Sequence, residues 1–249
     1  MAKVLEICVD SLASARSAIA GGADRLELCS ALLAGGLTPY VELLRQIKAE
    51  SEIPVRCLMR PRAGDFLYTP EERELMVLQI RKLKEAGADG FVIGCLTAEG
   101  NLDMDAMKPL VEACGDNGIT LHRCIDVSRD VEKTYLDAKE LDIDTVLTSG
   151  AAASCVAGKA CIEKLLQLRN QVNGPEILVG AGVNAAVIRQ FRATCPGVQA
   201  FHMSGKTERE SAMVFRREGV PMGLPGLDEW HIQQTDTAAV KAAREAMDA

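Results

Sequence analysis

The chain has 249 residues, 48% of them hydrophobic and 25% charged, an ordinary globular composition that is long enough for a large core. A formal net charge of −7 and the lack of any basic stripe argue against nucleic acid as a partner. No apolar run is long enough to span a membrane, and a strand that begins within a few residues of Met1 leaves no room for a signal peptide. Nine cysteines, an odd number with no C-x-x-C pair, argue against a disulfide framework and suit a reducing cytoplasm.

Leu5-Glu6-Ile7-Cys8 returns almost unchanged as Leu26-Glu27-Leu28-Cys29. In each copy apolar residues alternate with Glu and Cys, which is the period of a strand. Leu5, Ile7, Val9, Leu26 and Leu28 face one layer, and Glu6, Cys8, Glu27 and Cys29 face the other. The Ala-rich stretch between them, 11–22, reads as a helix, so the two strands are parallel neighbours. The glycines of Ala34-Gly35-Gly36 make a tight loop. Thr38 and Pro39 are expected to start a helix that runs to about Glu50. A third strand, Val55 to Met59, ends in Arg60-Pro61-Arg62-Ala63-Gly64-Asp65-Phe66. Thr69-Pro70-Glu71-Glu72 is a capping box, followed by a helix with a Met76, Ile80, Leu83 stripe that Gly87 ends.

The alternation continues. Strands are expected at Gly90 to Leu96, Ile119 to Ile125, Thr145 to Thr148, Glu176 to Val179 and Val198 to Met203. Helices are expected at about 103–117, 130–141, 157–172, 185–194 and 237–247. Eight βα units with no composition break predict an α/β fold, a TIM (β/α)8 barrel in a single domain over residues 1–249. An open doubly wound sheet would want a Gly-rich turn after the first strand, and Asp10-Ser11-Leu12 is not one. The stretch 205–236 is too long for a routine loop. Its Met213, Phe215, Trp230 and prolines make it either a lid over the barrel mouth or an arm onto a second subunit.

A barrel of this kind carries its site at the C-terminal ends of the strands. There the sequence collects Glu6, Cys8 and Asp10; Glu27 and Cys29; Arg60, Arg62 and Asp65; His122, Arg123, Cys124 and Asp126; Thr148 and Ser149; His202 and Ser204. Alternation from Ile119 and Leu121 points His122, Cys124 and Asp126 inward. Glu6 and Glu27 on adjacent strands repel unless one is protonated or a cation lies between, and Arg60 is the expected partner. The three form either a structural network or a tuned base. Asp65 sits in a glycine-containing loop at the functional face.

Glu27 and His122 are acid/base candidates, with Asp126 orienting a neighbour, and Arg60 and Arg123 are anion holders. His202 is a second histidine at the mouth. Gly180-Ala181-Gly182 and Ser204-Gly205 are similar to the phosphate loops of many such barrels, although short glycine loops also merely close turns. Cys8 and Cys29 face one way on adjacent strands, as a two-thiolate Cu(I) site requires. Packing as small buried hydrophobes is the more ordinary account of the pair.

These stretches together resemble the CutC family of copper homeostasis proteins from end to end. The resemblance is carried by Leu5-Glu6-Ile7-Cys8, Asp24-Arg25-Leu26-Glu27-Leu28-Cys29, Gly35-Gly36-Leu37-Thr38-Pro39, Arg60 to Phe66, His122-Arg123-Cys124-Ile125-Asp126, Val146 to Gly150, Gly180-Ala181-Gly182-Val183, and His202 with Ser204. Ala63, Cys124 and Ile125 depart from the family pattern of Gly at 63 and Ala-Phe at 124 and 125, so Cys124 is not read as a shared ligand. The resemblance implies a TIM barrel in the cytoplasm, a homodimer, and a role in copper tolerance or trafficking with Cys8 and Cys29 as Cu(I) ligands. The crowd of Glu, Arg, His, Asp and Ser instead suits an isomerase, lyase or hydrolase acting on a small polar or anionic metabolite. A third reading is a non-catalytic scaffold that assembles through 205–236.

Overall fold

The computed structural model describes residues 3–220, 222–223 and 228–249. Eight parallel strands close into a barrel: β1 (Val4–Val9), β2 (Arg25–Leu28), β3 (Val55–Leu58), β4 (Gly90–Ile93), β5 (Gly118–Leu121), β6 (Thr145–Thr148), β7 (Glu176–Val179) and β8 (Ala200–Met203). Each is followed by a helix: α1 (Leu12–Ala20), α2 (Val41–Glu50), α3 (Pro70–Glu85), α4 (Met104–Cys114), α5 (Val131–Glu140), α6 (Lys159–Val172), α7 (Ala185–Thr194) and α8 (Thr237–Asp248). This is the TIM barrel expected from the βα alternation. β9 (Lys206–Glu210) and β10 (His231–Thr235) form an antiparallel ribbon between β8 and α8.

Alternation divides the strand residues into two packing layers. Leu5, Ile7, Val9, Leu26, Leu28, Val55, Cys57, Phe91 and Ile93 lie in the continuous apolar layer between strands and helices. The barrel interior holds two small apolar patches, Cys29 with Leu58 and Val92, and Leu147 with Leu178 and Ala200. The rest of the interior is polar, which a barrel tolerates only where the charges find partners.

Several local readings differ from the structure. Thr38 does not cap α2, whose N-cap is Tyr40 with no side-chain hydrogen bond. The Thr38 hydroxyl instead accepts from the Arg60 backbone N–H at 3.0 Å, tying the second loop to the third. The Thr69–Glu72 capping box on α3 is present in full. On α6 the sequence periodicity places Cys161, Leu165, Leu168 and Val172 on one face, whereas the buried residues are Ile162, Leu165, Leu166 and Arg169 and Cys161 is only partly covered.

β5 stops at Leu121, and the chain tightens into a 3-10 helix, Arg123–Val127. The period-2 extrapolation therefore fails after His122: Cys124 joins the outer apolar layer, and Asp126 turns toward the β6 loop. The stretch read as a lid or an arm contains a ribbon whose base is pinned by Asp236 N–H to the Gly205 carbonyl and by Thr235 N–H to the Ser14 hydroxyl. Pro221 and residues 224–227 of that stretch lie outside the described residues.

Candidate functional site

The site starts from Glu6. Its side chain is fully buried, which is affordable only with close partners. The register sets β1 Glu6 beside Arg25 of β2 on one side and His202 of β8 on the other. Arg25 Nε donates to Glu6 Oε2 at 2.5 Å, and His202 Nδ1 lies 2.8 Å from Glu6 Oε1. Burial raises the Glu6 carboxyl, but Arg25, His202 and Arg56 outweigh it and hold the pKa at about 2.

The expected partner, Arg60, plays no part in this pair. It lies at the rim, where its guanidinium donates to the carbonyls of Ala34, Gly36 and Gly64 and stacks over Phe66. The reason is depth. Arg25 and Arg56 are the inward residues nearest the floor, and Arg60 is two inward positions above Arg56, with Leu58 between them. Arg56 fills the base, donating to Thr120 and Thr145 and pairing with Asp144 at 2.7 Å. A Cβ at Gly90 or Gly118 would collide with the Arg56 side chain, so those two glycines make its room.

Glu27 stands beside this network without being satisfied by it. It is 6% exposed, and its Oε2 has no hydrogen-bond partner. Burial is the largest influence on its pKa, partly opposed by His202 and reinforced by Glu6, and lifts it to about 7. His202 is pulled the other way: burial disfavours its charge, but Cys8, Glu27 and Glu6 raise its pKa well above the ordinary value. Ligand atoms of Glu6, Glu27 and His202 lie within 4.8 Å of one another.

His122 closes the opposite wall. It is 4% exposed. Its Nδ1 accepts from the Cys124 backbone N–H at 3.1 Å, which puts the proton on Nε2, and Nε2 has no partner. Burial, then Arg60, push its pKa down to about 3, so the ring is neutral and presents an N–H. The Phe66 ring covers it at 4.7 Å. A Cβ at Gly94 would come within 2.5 Å of both the imidazole and the Cys124 sulfur, so a glycine is needed there for this ring position.

Cys8, Glu27, Arg60, His122, Arg123, Gly182, His202 and Ser204 line one cavity of about 580 Å³ at the C-terminal mouth. Other predicted residues stand apart. Asp126 is consumed by structure: it accepts from the Thr148 hydroxyl, the Ser149 and Ala151 N–H groups and Arg123. It thereby orients Arg123, which also donates to the Ser149 hydroxyl at 2.9 Å. Ser149 is fully buried in that clamp. Asp65 is exposed and pairs with Arg62 at 2.9 Å.

Cys29 is fully buried. Its sulfur contacts the Val9 carbonyl at 3.5 Å, with Gly36 packed over it and burial raising its pKa steeply. Of the pair, Cys8 lines the cavity, while Cys29 lies behind it, close enough for the Cys8 thiol to add to the rise in its pKa. Sequence reasoning missed Arg25, Arg56 and Lys206. Their inward parity was readable for the first two, but their depth was not, and Lys206 reaches the cavity from the ribbon.

The model of the CutC family matches residues 3–207. A CutC family protein of Chromobacterium violaceum is 39% identical over 249 residues, covering 100% of this chain and 99% of its own. One from Aliivibrio fischeri is 38% identical over 243 residues, with 97% of each chain covered. The crystal structure of a Streptococcus agalactiae CutC protein, provisionally named for copper homeostasis, superposes with a TM-score of 0.76 at 27% identity, over 81% of this chain and 98% of that one. Phosphoribosylanthranilate isomerase from Pyrococcus furiosus, 14% identical with a TM-score of 0.54 over 99% of this chain and 98% of its own, shares the fold. By sequence along most of its length and by barrel geometry, this chain belongs to the CutC family.

Proposed function

We propose that the chain is an enzyme that moves a proton on a small anionic metabolite at the barrel mouth, as an isomerase or lyase does. One observation carries this reading. Glu27 Oε2 and His122 Nε2, both more than nine-tenths buried, line one cavity and are each left without a partner. Buried polar atoms are normally satisfied, so two orphans on one cavity call for a ligand. A carboxyl with a pKa of about 7 both takes and returns a proton at neutral pH. A neutral imidazole N–H polarises a substrate oxygen without adding a full charge. Arg60 and Arg123 attract the anion, and Asp126 fixes Arg123.

The test is hydrogen exchange in heavy water across a panel of small anionic carbonyl compounds. We expect one class to gain deuterium in wild type and lose that gain in Glu27→Gln. Exchange that is equal in the two proteins counts against the reading.

Handling of Cu(I) is the second reading. It is supported by the name of the Streptococcus relative and by Cys8 beside His202 on the cavity wall. Copper as cargo needs soft donors, and Cys8 and His202 stand together on the cavity wall. Titration of reduced protein against a competing chelator tests it. Stoichiometric binding lost in Cys8→Ser and kept in Cys29→Ser is the expected result under this reading. A cytoplasmic location is supported by nine unpaired cysteines. A homodimer is supported by exposed Met213, Val214 and Phe215 on the ribbon side, and sedimentation tests it.

A further inference from the structure

The cavity has two unlike ends. Its deep end carries the buried, orphaned Glu27 and His122. Its exposed rim is built by the loops after β7 and β8, whose backbone donors have no task in the acid–base reading. After β7 the chain runs Gly180-Ala181-Gly182, with Ala181 at φ 70° and Gly182 at φ 82°. An alanine in the left-handed region is strained, and such strain gathers at ligand sites. Among the described residues, the N–H groups of Ala181, Gly182 and Val183 find no acceptor, whereas the flanking Gly180 N–H bonds the Thr148 carbonyl at 2.9 Å. All three residues line the cavity.

The same end receives the Ser204 side chain and Lys206 from the ribbon. Arg123 stands on this cavity too, with two of its nitrogens held by Asp126 and Ser149. No carboxylate pairs with Lys206 among the described residues, although several of the other surface lysines and arginines have partners of that kind. A chain of net charge −7 thus gathers cations and open N–H donors at one rim. That combination recognises a compact, multiply charged oxyanion.

We infer that the β7–β8 rim is a phosphomonoester subsite, in which the N–H groups of Ala181, Gly182 and Val183, the Ser204 hydroxyl, Lys206 and Arg123 hold the phosphate of the substrate. The inference rests on the acid–base reading for what happens at the far end, and it names the substrate class: a small phosphorylated carbonyl compound. The phosphate is anchored at one end of the cavity, and the reacting carbon and its oxygen reach Glu27 and His122 at the other. A cavity of about 580 Å³ suits a ligand of a few carbons plus a phosphate.

Calorimetry with glycerol 3-phosphate, inorganic phosphate and glycerol tests the subsite without turnover. The expected result is one-to-one binding of glycerol 3-phosphate at a dissociation constant below about 1 mM, with none measurable for glycerol. Amide resonances of Ala181, Gly182 and Val183 shift on adding inorganic phosphate. Lys206→Glu, a change at an exposed ribbon residue, weakens glycerol 3-phosphate by about tenfold or more. The proposal is overturned if glycerol 3-phosphate binds no better than glycerol, if the three amides do not move, or if Lys206→Glu keeps wild-type affinity. Glu27→Gln separates the two readings. It removes exchange chemistry but retains phosphate affinity within about twofold, so a failed enzyme reading leaves this subsite standing and a failed subsite leaves Glu27 chemistry standing.

Discussion

The floor and the mouth of this barrel are both lined with charge, yet they differ in how that charge is satisfied. On the floor, Glu6 meets Arg25 and His202, and Arg56 meets Thr120, Thr145 and Asp144. At the mouth, Glu27 Oε2, His122 Nε2 and Arg60 Nε are buried and open. A closed network is architecture: removing one member strands the others. An open one is a receptor: its missing partners come from outside. Charge in the interior is thus no guide to function by itself; unmade hydrogen bonds that gather on one cavity are the better guide.

The largest test of that contrast is Glu6→Ala. It leaves Arg25 and Arg56 without their fully buried carboxylate, and we expect a loss of about 3–5 kcal/mol in urea unfolding. If Glu27→Ala costs as much, the division between floor and mouth fails.

The two carboxyls also separate by pH. Glu6 has a folded pKa near 2, below the ordinary 4.5, so its contribution is present above pH 4.5 and is lost as pH falls toward 2. Glu27 has a folded pKa near 7, above 4.5. The folded state then binds the extra proton, and stability is full below pH 4.5 and declines as pH rises to 7, by about 3 kcal/mol. His202, raised from its ordinary 6.5, continues that decline above pH 6.5. Unfolding free energy measured across pH should show both limbs, and Glu27→Gln should flatten the upper one.

A smaller effect sharpens the role of the His122 wall. Gly94→Ala puts a Cβ against the imidazole and Cys124. It should cost about 1–3 kcal/mol and move the His122 ring resonances. The smallest effect is expected at Asp65, exposed in its loop: Asp65→Ala should change stability by about 0.5 kcal/mol or less and leave phosphate affinity unchanged.

The barrel was legible because eight apolar strand patterns alternate with helix signals, and the inward parity of Glu6, Cys8 and Glu27 followed from period 2. What escaped was depth and direction. Strand stagger puts Arg25 and Arg56, not Arg60, beside Glu6, and no single strand reveals stagger. The turn of the chain after His122 redirected Cys124 and Asp126, because a 3-10 helix replaces the extended backbone. Cys29 has the expected parity but lies under Gly36, which only the folded loop shows.

Arg56, wedged among Gly90, Gly118 and the floor threonines, stoppers the barrel at its base. Among the described residues, the mouth is then the way in and the way out. Under the proposed acid–base reading, each departing product stands in the path of the next arrival, and throughput is tied to how readily the rim lets go.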